Sequence, residues 1–112
     1  MTFDEYQKQA LLTDGTVGSS TISAKFISIV LGLSGEAGEI AEKFKKIYRE
    51  KNGDWDDEDK KTIAKELGDL LWYISSVSNH TGISLEEIAK INLEKLKSRA
   101  ERGVIFGSGD NR

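Results

Sequence analysis

The 112 residues, with a formal charge of −3, suffice for one modest hydrophobic core and exclude two independent ones, so a single domain spanning residues 1–112 is expected. With no cysteine, disulfides and thiolate chemistry are excluded, and any metal must be held by oxygen atoms or by the single histidine, His80. No stretch approaches the roughly 18 apolar residues of a membrane span, the start MTFDEYQK has no signal-peptide pattern, and the acidic balance offers no basic face; a cytoplasmic protein without membrane or nucleic-acid partners is expected.

No proline interrupts the chain, and apolar residues recur at three- and four-residue steps, the pattern of an all-α protein. Thr2 as N-cap, with Glu5 reaching back, forms a capping box and opens a short helix to about Leu12. The next stretch, TDGTVGSS from Thr13 to Ser20, reads as a loop. A long second helix is expected from about Thr21 to Glu50, and NGDWDD, Asn52 to Asp57, breaks it with glycine and N-cap residues. The third helix runs from about Asp57 to Asn79 and closes at Gly82. Ser84-Leu85-Glu86-Glu87 is a further capping box, starting a fourth helix that lasts to about Arg102. Residues 103–112, GVIFGSGDNR, are glycine-rich and expected to be an irregular, flexible tail. Short connections favour antiparallel neighbours, so an antiparallel bundle of about four helices follows.

The chemistry concentrates in GLSGEAGEIAE, Gly32 to Glu42, where three glycines that each cost about 1 kcal/mol in a helix interior alternate with three glutamates. On helix two the apolar stripe is Phe26, Ile29, Val30, Leu33, Ala37, Ile40, Phe44 and Ile47. Glu36 falls about 70° to one side of its centre, with Glu39 further round, at roughly 100° per residue. On helix three the stripe is Ile63, Leu67, Leu70, Leu71, Ile74 and Val77; Glu66 falls about 80° to the same-handed side, Asp69 lies further out, and Tyr73 sits between them. Antiparallel helices packed stripe to stripe bring same-handed flanks together, so both acid pairs should edge one cleft. Each pair also carries an embedded glycine, Glu36-Ala-Gly-Glu39 and Glu66-Leu-Gly-Asp69.

Four converging carboxylates repel one another and raise their pKa values unless cations neutralise them. An all-oxygen ligand set suits Mg²⁺ first and Mn²⁺ second. The glycines are then explained by close approach of a neighbouring backbone or a ligand to the helix surface. The competing reading is that acid pairs three apart are ordinary solvated faces. Of the remaining residues, His80 reads as a cap favourable to the helix dipole and Trp55 as an aromatic packed on its own helices or a partner. Trp72 lies about 160° from the stripe centre of helix three, which predicts a second buried face and hence a subunit contact.

GLSGEAGEIAEKFKK followed by KELGDLLWYI resembles the MazG-like members of the all-α nucleoside triphosphate pyrophosphohydrolases, whose signature is E-x-x-E, a variable spacer, then E-x-x-D. Glu36, Glu39, Glu66 and Asp69 occupy the signature positions. NLEKLKSR, Asn92 to Arg99, is similar to the family's segment after the last core helix, and RGVIFGSGDNR to the tail of short single-domain members; the likeness runs from about Val30 to the end. It implies hydrolysis of nucleoside triphosphates to monophosphate and pyrophosphate, with the four acids binding Mg²⁺, for which Mn²⁺ can substitute, and Glu39 orienting or deprotonating the water. It further implies that Asn92 and Lys95 meet the phosphates and sugar, that Tyr73 borders the nucleoside, and that the chain forms a homodimer or homotetramer. Lys43 and Lys46, which follow the first acid pair, read either as phosphate contacts or, for Lys43, as an i,i+4 partner of Glu39. A narrower deoxypyrimidine triphosphatase of the dUTP or dCTP type is one alternative, and a non-catalytic helical interaction module is another. A di-iron carboxylate bundle needs two E-x-x-H motifs, which this chain lacks.

Overall fold

Residues 1–16 and 21–112 are described in the computed structural model, and every regular element among them is helical. Helix α1 (Phe3–Ala10) starts as expected on Thr2, whose hydroxyl accepts from the Glu5 N–H at 3.1 Å while the Glu5 carboxylate accepts from the Thr2 N–H at 2.6 Å. A 3-10 turn, Leu11–Thr13, replaces the last turn of the expected helix. The loop expected to run to Ser20 is described as far as Thr16, and residues 17–20 lie outside the described ones.

Helix α2 (Ala24–Lys51) begins later than Thr21 because Ser23, in extended backbone, caps it by accepting from the Phe26 N–H at 3.1 Å. Asn52 (φ 53°) and Gly53 (φ 80°) then turn the chain through the left-handed region. Helix α3 (Asp57–Thr81) opens on a capping box that the sequence reading missed. The Asp59 N–H donates to Asp56 at 2.8 Å and the Asp56 N–H to Asp59 at 3.0 Å. Gly82 (φ 72°) ends α3, and Ser84 caps α4 (Leu85–Glu101) by accepting from the Glu87 N–H at 3.1 Å; only that half of the expected box forms. Residues 103–112 are irregular, as expected, and hydrogen-bonded: Arg99 donates to the carbonyls of Gly109 (3.3 Å) and Asp110 (2.9 Å), and Arg112 to those of Val104 (3.2 Å) and Ile105 (2.9 Å).

Helices α2 and α3 form an antiparallel pair, while α1 and α4 pack against α3 and each other. The seam joins the covered edge of the stripes to the acidic flank. Ile63 is buried and Phe26, Ile29, Leu33, Ile40, Ile47 and Ile74 are half-buried, the Phe26 ring lies against His80, Tyr73 lies on the backbone of Gly32, and Lys43 and Lys51 meet Glu66 and Asp59. Part of each stripe stays open, with Val30 at 37%, Phe44 at 42% and Leu67 at 51% exposure. Ile63 and Leu85 are the buried apolar residues among those described, and the radius of gyration of 16.9 Å exceeds the roughly 13 Å of a compact domain of this length. No helix among the described residues is long and apolar enough to cross a membrane.

Polar bonds anchor α1. The buried Gln7 amide donates to Ser75 O (3.2 Å) and Ser78 Oγ (3.0 Å) and accepts from the Leu85 N–H (3.0 Å), one of the donors left open at the start of α4. Trp72, expected to mark a second covered face of α3, is half-buried: its indole donates to Thr13 Oγ1 (2.8 Å) and Ala10 O (3.3 Å), so within this chain it packs against the end of α1 and the 3-10 turn. His80 does lie in the last turn of α3, with its ring 4.5 Å from that of Phe26 and its Nε2 2.7 Å from Thr16 Oγ1. Replacing Gln7 by alanine removes both roles at once and leaves buried partners unpaired, so Gln7→Ala should lower stability by about 2 kcal/mol in urea unfolding.

Candidate active site

Halfway along the α2–α3 seam, carboxylate oxygens of Glu36, Glu39 and Glu66 lie within 4.8 Å of one another. The first two are one helical turn apart on α2, and Glu66 reaches them from α3 because the antiparallel register sets it opposite. Asp69, one turn further along α3, is exposed and lies outside that group of three, yet its charge still acts on Glu36. Burial pushes the Glu36 carboxyl above its ordinary range, and the charges of Glu39, Asp69 and Glu66 push it further, with a hydrogen bond to Glu39 acting in the same direction.

Two contacts show how the cluster is balanced. Lys43 Nζ lies 3.2 Å from Glu66 Oε1, across the seam, in place of the i,i+4 pair with Glu39 that the sequence also allows. Glu36 Oε2, by contrast, is buried without a hydrogen-bond partner, and among the described residues no ion pair reaches Glu36, Glu39 or Asp69. A buried acceptor left unpaired is costly. A hard divalent cation held by Glu36, Glu39 and Glu66 would supply the missing partner, and their oxygen-only donor set suits such an ion.

The surroundings of the cluster are partly as expected. Tyr73 is half-buried, its ring against Gly32 and edge-to-face with Trp72 at 5.0 Å between centroids. Tyr6 of α1 was not singled out from sequence. Burial, together with the charge of Asp69, holds its phenol above the ordinary value, which marks α1 as a neighbour of the acids. Beside Glu39, the open face of α2 carries Glu42, Lys43, Lys46 and Arg49 in successive turns. Asn92 is exposed on α4, and Lys95 meets Asp110 at 3.6 Å; no hydrogen bond or ion pair among the described residues joins either to the acids. Trp55 packs on Phe44 (5.5 Å between centroids) with Lys60 Nζ 5.6 Å from its ring, so it lies against its own helices.

Residues 24–104, which include the whole seam, match the MazG nucleotide pyrophosphohydrolase domain. The chain belongs to the MazG family. It is also similar to the Gene 37 protein of Mycobacterium phage L5, 49% identical over 84 residues that make up 75% of this chain and 74% of that one. No solved structure matches. The MazG domain thus contains the acid cluster, the α2–α3 turn and all of α4, while Tyr6 and Gln7 lie before it.

The raised Glu36 pKa has a signed consequence for this MazG chain. The folded state holds the Glu36 proton more tightly than the unfolded one. Glu36 therefore contributes stability while protonated and loses it as pH rises from the ordinary glutamate range through the raised folded value. In chelator at pH 7, Glu36→Gln should melt at a higher temperature than the parent, and the difference should shrink as pH falls below the ordinary glutamate range. Melting followed by circular dichroism checks this; equal melting at pH 7 would contradict the repulsion.

Proposed function

We propose that this MazG protein hydrolyses nucleoside triphosphates between the α- and β-phosphates, releasing a nucleoside monophosphate and pyrophosphate. The reading is carried by the convergence of three glutamates around an unpartnered buried carboxylate oxygen, in a chain of a nucleotide pyrophosphohydrolase family. Glu36, Glu39, Glu66 and Asp69 hold Mg²⁺, and Mn²⁺ can replace it. The bound ion supplies neutralisation of the phosphate charge that develops during cleavage. Glu39, the more exposed glutamate of the α2 pair, orients the attacking water and takes its proton as the water oxygen bonds to phosphorus and the bridging P–O bond breaks. The electron pair of that bond leaves on pyrophosphate when the α-phosphorus is attacked.

Lys43, with Lys46 and Arg49 on the same face of α2, offers cations next to the acids that suit a polyphosphate. Asn92 and Lys95 bind phosphate and sugar, and Tyr73 borders the nucleoside. We take residues 1–112 as one catalytic unit that works in the cytoplasm, where its substrates are pooled, and assembles as a homodimer or a larger homo-oligomer. The exposed apolar stripe of Val30, Phe44 and Leu67 supports the assembly, because a second copy would bury surface that one chain leaves in water. Sedimentation should accordingly give a mass of at least two 12.4 kDa chains.

The activity is tested with the eight common ribo- and deoxyribonucleoside triphosphates and Mg²⁺, measuring pyrophosphate and orthophosphate separately. Pyrophosphate is expected from the parent and should fall by a factor of about 100 or more in Glu66→Gln, since the variant loses a charge that the reaction needs. Absence of pyrophosphate with every nucleotide would overturn the proposal, and the ranking of nucleotides gives the base preference.

A further inference from the structure

Of the glycines near the acids, Gly35, Gly38 and Gly68 have open space where a Cβ would stand, whereas Gly32 does not. A Cβ there would lie 2.6 Å from Cζ and 2.8 Å from Oη of Tyr73, well inside the roughly 3.5 to 4.0 Å at which carbon atoms pack. The ring has no easy retreat. Trp72 meets it edge-to-face, and Trp72 is itself fixed by its bonds to Thr13 Oγ1 (2.8 Å) and Ala10 O (3.3 Å). With the ring held in place, the backbone of α2 is what must move.

The antiparallel register says where that movement is felt. From the layer of Gly32 and Tyr73, one turn forward along α2 and one back along α3 leads to Glu36 and Asp69, and about one turn more to Glu39 and Glu66. Gly32 thus governs helix spacing at the layer next to the acids. Local preference opposes it, since alanine in a helix interior is favoured over glycine by about 1 kcal/mol.

We propose that Gly32 is a positioning residue for the acid cluster. Its missing Cβ lets α2 and α3 approach closely enough for Glu36 and Glu39 of one helix and Glu66 of the other to share one divalent cation. This rests on the reading of the cluster as a metal site, and its test is a binding measurement separate from turnover. Mn²⁺ is titrated calorimetrically into the parent, Gly32→Ala, and the double variant Gly32→Ala/Tyr73→Leu, with helicity checked by circular dichroism. Gly32→Ala should bind Mn²⁺ roughly tenfold more weakly, the size of effect seen when the support of a metal ligand is disturbed. The double variant, which lacks the outer ring atoms, should recover the parent affinity. A purely local role predicts that Gly32→Ala binds as the parent does, or that the double variant stays as weak as the single one; either result overturns the proposal. If Gly32→Ala does not fold, the double variant decides: folded with parent affinity it supports the proposal, and unfolded or weakly binding it overturns it. A parent that binds Mn²⁺ and releases pyrophosphate while Gly32→Ala binds equally well removes this inference alone, whereas a parent that binds no Mn²⁺ removes the metal-site reading with it.

Discussion

Carboxylates brought from two helices to within 4.8 Å of one another repel, and the α2–α3 seam has to be held closed against that repulsion. Lys43 offsets one charge at 3.2 Å from Glu66. Lys51, at 2.7 Å from Asp59 and 3.2 Å from Asp56, joins the helices near their turn, and both acids hold its ammonium pKa above the ordinary value. These pairs are partly exposed, however, and an exposed ion pair contributes only about 0 to 1 kcal/mol. Closure therefore depends more on the fixed turn from Asn52 to the Asp56 cap, and on the packing of Tyr73 against bare backbone at Gly32. The outcome is a cluster in which Glu36 Oε2 is buried without a hydrogen-bond partner.

On the other flank of α3 the cohesion is polar. Gln7 joins α1 to α3 and to the first N–H of α4, and Asp14 accepts from Ser76 Oγ (2.5 Å) and Thr16 Oγ1 (2.6 Å). Those bonds, aided by the charge of His80, keep the Asp14 carboxyl below its ordinary range despite its partial burial. Each neutral bond contributes about 1 kcal/mol net, but leaving a partner unpaired costs more, so the network specifies one docking of α1 more strongly than it stabilises it. That docking brings Tyr6 beside Asp69. The N-terminal segment, which lies outside the matched domain, is in this way coupled to the acids.

Much of this was legible beforehand, for identifiable reasons. The caps at Thr2 and Ser84 and the stop at Gly82 are interactions among residues two to four apart, and they are found close to where the sequence reading set them. The angular argument that Glu36 and Glu66 share a side also anticipated their proximity, because helical periodicity carries over several turns. How completely each stripe is covered was not legible: Ile63 is buried and Leu33 and Ile40 are half-buried, whereas Leu67 and Phe44 remain exposed. The large apolar surface of Trp72 was read as needing cover, and Ala10 and Thr13 of its own chain supply part of it.

By itself, the sequence determined the helices, their order and the recurrence of paired acids at one-turn spacing, because propensity, capping and periodicity act over a few neighbouring residues. Only the tertiary structure decided that Lys43 turns to Glu66 instead of Glu39, that Glu36 keeps a buried oxygen without a partner, and that Gly32 of three similar glycines is the one pressed by a ring. Those outcomes depend on distances between helices, which are set by the summed packing of residues far apart in the chain and leave no local periodic signal.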